Sequence, residues 1–256
     1  MSDLIIPATD GFSLSASHFE ASSGVTLSRT VVINSALGVP RQYYKGFAAY
    51  LASRGFDVIT WDVRGNGQSR PKSLKGFDAR LSDWAVLAWA KEKFPDNKIM
   101  VVGHSSGGQA LGLVPNLDLI SGFMAVTAIG GHAPHWRGLK YLPKRLILRM
   151  MWHVLMPGLA KLMGYYPGKR LGLADLPRGV AKQWAEWCRH PDYVFGDKSL
   201  DHSGYARLTA PIIAYSFTDD TYVAAHQHKS IGHFGFFREP LRDNLWIESA
   251  DWLATC

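Results

Sequence analysis

The chain has 256 residues, of which 47% are hydrophobic and 19% charged, with a formal net charge of +7. This length and ordinary globular composition exclude a disordered, collagen-like or coiled-coil protein and predict one domain with a large core. Two cysteines are too few for a disulfide framework, and no export signal or uninterrupted apolar run of membrane-spanning length occurs, so we expect a soluble cytoplasmic protein.

Apolar strands alternate with helical segments along most of the chain. The predicted elements are a hairpin over 4–18, strands at 30–34, 56–61, 99–103, 122–129 and 211–217, and helices over 42–54, 78–94 and from 106 onward. Uninterrupted apolar strands separated by helices are typical of a mostly parallel sheet covered on both faces. The sequence therefore predicts an α/β fold over residues 1–256.

Residues 132–205 interrupt this alternation. The segment contains no convincing strand and is rich in Trp, Met, Leu and Pro. Structureless connections of such length are rare in compact domains. We therefore predict a helical cap inserted between two core strands.

The net charge is concentrated in the first part of this cap. No Asp or Glu occurs between Leu119 and Ala174, whereas eight basic residues do: Arg137, Lys140, Lys144, Arg145, Arg149, Lys161, Lys169 and Arg170. No zinc-finger, helix-turn-helix or RNA-binding motif accompanies them, so we do not expect nucleic acid as a partner.

The basic residues lie on a predicted amphipathic helix. Arg145, Arg149, His153 and Lys161 fall at multiples of four, and Pro157 at the remaining position predicts a kink or break. The wide Leu/Met face could simply pack on the core. Alternatively, its Met and Trp residues line an acyl pocket, and the cations attract an anionic group of the substrate or a phospholipid surface.

Gly103-His104-Ser105-Ser106-Gly107 follows the strand at 99–103 and precedes a predicted helix. A strand, a sharp turn and a helix around G-x-S-x-G form the setting of a nucleophile elbow. The glycines remove Cβ atoms that would collide in the turn, and Ser105 would present its hydroxyl from a strained backbone. The alternative of a phosphate-binding P-loop fails, because no Lys-Ser/Thr follows the glycines.

This pentapeptide and the loop Asp62-Val-Arg-Gly-Asn-Gly-Gln-Ser69 resemble the α/β-hydrolase superfamily over nearly the whole chain. Residues 231–238 further resemble a group of bacterial predicted hydrolases of unassigned substrate. The resemblance implies a mostly parallel eight-stranded sheet and a triad in the order serine, acid, histidine, with no metal or cofactor. We interpret the Asp62–Ser69 loop as structural, braced by Asp62 and Arg64.

His233 is the candidate general base, since it follows the last predicted core strand and has flanking glycines. The resemblance places the acid after the strand at 211–217 and selects Asp220, with Asp219 as the alternative. A metal site formed by His226, His228 and His233 is disfavoured because no carboxylate or cysteine accompanies them. Only 13 residues separate Asp220 from His233, so we expect the eighth strand to be short or absent.

The oxyanion formed during acyl transfer would be held by backbone amides. The resemblance suggests Ser106 and, from the loop after residue 34, Ala36 first and Leu37 second. Candidates for the substrate pocket are Leu37, His104, His132 and Trp136, and we assign His104 no role in proton transfer.

Together these residues predict a serine hydrolase that cleaves a carboxylic ester or thioester with an apolar acyl part through an acyl-enzyme. An acyltransferase with the same triad is the nearest alternative. A non-catalytic lipid- or ligand-binding protein on the same scaffold is the alternative from a different class.

Overall fold

The computed structural model describes residues 1–256 except 9, 23, 25, 82–85, 129–141, 172, 218–219 and 221–230. In chain order its strands are β1 (Ser2–Pro7), β2 (Ser13–Phe19), β3 (Arg29–Asn34), β4 (Asp57–Trp61), β5 (Lys98–His104), β6 (Ile120–Val126), β7 (Tyr165–Tyr166), β8 (Leu176–Pro177) and β9 (Ile212–Tyr215). Seven of them form one sheet in the order β1-β2-β4-β3-β5-β6-β9. The sheet is parallel from β4 to β9, and β1 and β2 pair antiparallel at one edge.

The helices lie on both faces of the sheet and in the segment between β6 and β9. They are α1 (Lys45–Ser53), α2 (Val86–Lys93), α3 (Ser106–Gln109), α4 (Leu142–Met150), α5 (Met156–Met163), α6 (Arg178–Arg189), α7 (Ser203–Arg207), α8 (Gly232–Gly235) and α9 (Ile247–Thr255). Alternate side chains of each central strand enter opposite cores. Val31 and Ile33 pack with α1 and α9, whereas Val32 packs with α2 on the other face.

The α/β fold predicted from the sequence is confirmed, with some elements shorter than expected. The helix predicted from residue 106 onward is a single turn, Ser106–Gln109. Most of the chain between β9 and α8 lies outside the described residues, so the expected shortening or loss of the eighth strand stays a prediction.

The described part of the predicted cap begins with a long helix. It consists of α4, a π-helical turn over Met151–Leu155 and α5, and we call Leu142–Met163 the cap helix. Pro157 does not break it: the π-helical turn ends at Leu155, two residues before the proline, whose missing N–H could not complete a regular helix. The helix ends at Gly164 in the left-handed conformation. The two-residue strands β7 and β8 pair with each other, which the sequence did not predict.

Among the described residues, the cap helix is the one helix long and apolar enough to cross a membrane, judged by length and composition alone. It has 22 residues and an 18-residue window with a mean hydropathy of 1.3, of which 11% is buried. The expectation of no such segment considered only uninterrupted apolar runs, whereas cations interrupt this one.

Candidate active site

Ser105 lies in a tight turn between β5 and α3, at the carboxyl end of the central strand. Its φ of 50° and ψ of −121° form a conformation that few non-glycine residues adopt. The Ser105 amide donates to the Val126 carbonyl at 2.9 Å, and the Ser105 carbonyl accepts from the amides of Gly108 and Gln109. The side chain is partly exposed. The strained turn predicted from the pentapeptide is therefore present.

Two glycines allow the chain to make this turn. A Cβ at Gly103 would lie 2.4 Å from the Cα of Gly108, and a Cβ at Gly107 would lie 2.5 Å from the carbonyl oxygen of Ser35. Both contacts are with backbone atoms, which cannot move aside without displacing α3 or the loop after β3. The glycines thus bring that loop against the residues that follow Ser105.

Asp220 and His233 form a buried pair. The His233 Nδ1 lies 2.8 Å from the Asp220 Oδ2, and the two side chains are 6% and 1% exposed. A carboxylate only accepts, so the Nδ1 carries the hydrogen and the Nε2 is left to accept a proton. The acid–base contact expected for Asp220 is present, whereas Asp219 lies outside the described residues.

His104 does not line a pocket, contrary to the prediction. Its side chain is fully buried; its Nε2 lies 2.9 Å from the His233 carbonyl oxygen and its Nδ1 2.9 Å from the Tyr44 hydroxyl. A carbonyl only accepts, so the Nε2 donates and the Nδ1 accepts from Tyr44. Burial, with a smaller contribution from His233, lowers the pKa of His104 from 6.5 to about 3, which keeps this imidazole neutral. His104 therefore bridges the nucleophile turn and the backbone of His233.

Two adjacent tyrosines complete the support of the histidine turn. Tyr43 donates its hydroxyl to the Phe234 carbonyl, next to the carbonyl that accepts from His104. Tyr44 donates to His104 and accepts from the Ala36 amide at 2.9 Å. Sequence reasoning missed both tyrosines, because nothing in their spacing relates them to residues so distant in the chain.

The Ala36 amide is consequently not available to an oxyanion, and the first choice for this donor is wrong. The loop orients that N–H toward the protein interior, where Tyr44 occupies it. The Leu37 amide, the second choice, has no acceptor among the described residues, nor does the Ser106 amide. These two amides are the candidate oxyanion donors. With α3 only four residues long, little helix dipole supports them.

A cavity of about 40 Å³ lies between these amides and the cap. Ser35, Leu37, Ser106 and Gly107 line its floor, and Leu176, Pro177 and Val180 cover it from β8 and α6. Leu37 was predicted as a pocket residue and is one, whereas the predicted His132 and Trp136 lie outside the described residues. The cavity has room for about three water-sized groups.

Asp62 braces the Asp62–Ser69 loop as predicted, whereas Arg64 connects the loop to the hairpin. The buried Asp62 carboxylate accepts from the Arg41 Nη1 at 2.6 Å, the Arg41 amide at 2.7 Å and the Gln68 amide at 3.0 Å. Arg64 instead pairs with Asp10 of the hairpin, at 2.7 Å for one of the two contacts. The loop therefore contributes a structural ion pair next to the site.

No group of three or more His, Cys, Asp or Glu residues suited to a metal ion occurs in the described part of the chain. His226 and His228 lie outside it, so the predicted absence of a metal stays a prediction.

A protein-family model described as serine aminopeptidase, S33, matches residues 27–117, which is less than half of the chain. The matched region contains β3, the Asp62–Ser69 loop and Ser105, but neither Asp220 nor His233. No curated protein sequence matches the chain.

Solved structures match over the full length. An esterase from Thermogutta terrifontis is 16% identical, covers 100% of this chain and 99% of its own, and has a TM-score of 0.60. An esterase from Exiguobacterium antarcticum is 13% identical, with 98% and 99% coverage and a TM-score of 0.62. A lipase in its open form is 16% identical, with 100% and 99% coverage and a TM-score of 0.64. At these identities the likeness shows a shared fold.

Proposed function

We propose that this chain, an α/β hydrolase by fold and superfamily, is a serine hydrolase that cleaves a carboxylic ester or thioester through an acyl-enzyme. The observation that carries the proposal is the combination of Ser105 in a strained, partly exposed turn with a buried Asp220–His233 pair whose backbone contacts His104, the residue before Ser105. A structural serine would gain nothing from such a backbone conformation, which is costly by about 1–3 kcal/mol.

In this mechanism the Ser105 hydroxyl attacks the acyl carbon while the His233 Nε2 accepts its proton. Asp220 accepts from the Nδ1–H and stabilises the imidazolium that forms. The amides of Leu37 and Ser106 donate to the oxyanion of the tetrahedral intermediate. His233 then protonates the leaving alcohol or thiol, and a water activated by the same imidazole releases the acid from Ser105.

The acyl part of the substrate is apolar. Leu37, Leu176 and Val180 give the cavity beside Ser106 apolar walls. We therefore expect esters with an uncharged aliphatic acyl group to be cleaved with a higher kcat/KM than esters with a charged one.

A cytoplasmic location is part of the proposal. Its support is that both cysteines are free, Cys188 being buried and Cys256 partly exposed, as is usual for a reducing compartment.

The direct test is incubation with a fluorophosphonate probe, followed by assays on p-nitrophenyl esters of increasing acyl length and on an aminoacyl p-nitroanilide. We expect covalent labelling and ester cleavage by the wild type, and loss of both in Ser105→Ala. A Ser106→Ala variant is the matched control, because it removes the neighbouring hydroxyl and keeps the backbone amide.

Ester cleavage that persists in Ser105→Ala would contradict the proposal. Faster cleavage of the anilide than of any ester would indicate a peptidase instead. Acyl transfer to an added alcohol in preference to water would indicate an acyltransferase.

A further inference from the structure

The outer half of the cap helix is unusually exposed. No residue of α4 is buried, and five large apolar side chains from α4 and the π-helical turn are 49–60% exposed: Leu142, Leu146, Ile147, Met150 and Val154. The surface of a soluble monomeric protein rarely exposes so many neighbouring apolar side chains unless they form a binding site. Leu142, Leu146 and Met150 recur at intervals of four residues with Ile147 beside them, so they form one stripe, which we call the apolar stripe.

Cations flank the apolar stripe. Lys144, Arg145 and Arg149 are exposed on the same helix, and none of them forms an ion pair with a carboxylate among the described residues. No acidic residue occurs between Leu119 and Ala174 to neutralise them. An exposed apolar stripe beside unneutralised cations has the chemistry of a helix that lies at the surface of an anionic bilayer.

The inner half of the cap helix, α5, determines how the helix could contact a membrane. In α5, Met156 and Ala160 are buried and pack in one cluster with Val180, Ala181 and Ala185 of α6. Because α5 packs against α6, the 22-residue cap helix is not free to leave the protein and cross a bilayer. It can only lie along the interface, with the apolar stripe toward the acyl chains.

A second copy of this chain fits the surface less well. Pairing of two cap helices would bring Lys144, Arg145 and Arg149 of one copy against the same cations of the other, with no carboxylate on either segment to separate them. Like charges in contact oppose association. Anionic headgroups supply the missing negative charge.

We propose that the cap helix docks this protein on the surface of a lipid bilayer that carries anionic headgroups. Leu142, Leu146, Ile147 and Met150 enter the boundary of the acyl chains, and Lys144, Arg145 and Arg149 contact the headgroups. Docking requires no step of ester hydrolysis, so it holds or fails independently of the proposed function.

The test is sedimentation of the full chain with vesicles of phosphatidylcholine alone or of phosphatidylcholine mixed with phosphatidylserine. We expect binding to the mixed vesicles, weaker binding as NaCl is added, and little binding to phosphatidylcholine alone. Each cation near an anionic surface contributes about 1 kcal/mol, roughly fivefold in affinity. The triple variant Lys144→Glu, Arg145→Glu, Arg149→Glu should therefore bind at least a hundredfold more weakly, on the order of three such factors.

Matched variants show whether vesicle binding depends on the apolar stripe or on apolar and basic residues anywhere on the surface. Leu146→Ser with Ile147→Ser should lose binding, whereas Ile5→Ser on β1 and Lys72→Glu with Lys93→Glu should bind like the wild type. Ser105→Ala should also bind like the wild type, so that a failure of catalysis is not mistaken for a failure of docking. Folding of each variant is checked by its thermal transition.

Three results would overturn the proposal: equal binding to neutral and anionic vesicles, undiminished binding by the triple variant, or undiminished binding by the variant at Leu146 and Ile147. A dimer in sedimentation velocity that the stripe substitutions dissociate would overturn it in favour of a second copy of this chain.

Discussion

The surroundings of His233 and the outer half of the cap helix use polar and apolar groups in opposite ways. Around His233, hydrogen bonds connect buried polar groups one after another, from the Ala36 amide through Tyr44 and His104 to the His233 carbonyl. Along α4 no residue is buried, and large apolar side chains and cations are exposed to solvent. The first region can tolerate few substitutions without loss of geometry, whereas the second can change without loss of the fold.

The Asp220–His233 pair gives the largest expected effect. Asp220→Asn should lower kcat by about 10⁴-fold with a small change in KM, because an amide cannot hold the productive tautomer or stabilise the imidazolium. Asp219→Asn is the matched control and should retain most activity. Steady-state kinetics check both, and a deeper loss in Asp219→Asn would transfer the role of the acid to that residue.

The buried His104 predicts how stability depends on pH. The unfolded chain protonates this imidazole below pH 6.5, but the folded chain does not until about pH 3. Its contribution is therefore fully present above pH 6.5 and is lost as the pH falls toward 3, by up to about 1.4 kcal/mol per pH unit.

His104→Gln isolates that contribution, since a glutamine can donate to His233 and accept from Tyr44 but does not titrate. Urea unfolding between pH 7 and pH 4 should show a shallower loss of stability in His104→Gln than in the wild type. If the free energy of unfolding falls equally with pH in the two proteins, His104 takes up its proton over the same pH range in the folded and the unfolded state.

Paired glycine substitutions extend the comparison to the nucleophile turn and to the inner half of the cap helix. Gly107→Ala places a Cβ against the Ser35 carbonyl and should lower the free energy of unfolding by about 1–3 kcal/mol while reducing activity. Gly158→Ala in α5 meets nothing within 4 Å and should raise it by about 0.5–1 kcal/mol, because alanine favours the helix. Urea unfolding of both variants measures the contrast, and equal destabilisation would contradict it.

The smallest expected effect lies in the apolar stripe. Leu146→Ser should change the free energy of unfolding by no more than about 0.5 kcal/mol, since the side chain is half exposed and helps to fill no core. Thermal unfolding without lipid checks this value. A loss of several degrees would show that α4 is covered by another part of the chain.

Much of the site was readable from local pattern. Uninterrupted apolar strands predicted the parallel sheet, and the two glycines around Ser105 predicted the strained turn, because both features depend on residues that are close in the chain. The pairing of Asp220 with His233 was also expected, through the family resemblance. The failures were Ala36 as an oxyanion donor and His104 as a pocket residue.

Those failures have one physical origin. Tyr44 reaches His104 across 60 positions of sequence, and His104 reaches the His233 carbonyl across 129. Contacts of this kind follow from how the turn before α1, β5 and α8 pack together, which no local pattern encodes.

The sequence by itself determined the alternation of strands and helices, the sharp turn at Ser105 and the excess of basic residues between Leu119 and Ala174, since each is a property of neighbouring residues. Only the tertiary structure decided that the Ala36 amide donates to Tyr44, that the Leu37 amide has no acceptor in the described part of the chain, and that His104 supports His233. It also decided that the apolar face of α4 is exposed rather than packed. Each of these outcomes depends on which groups from distant parts of the chain lie next to a given atom. Tertiary packing sets those neighbours.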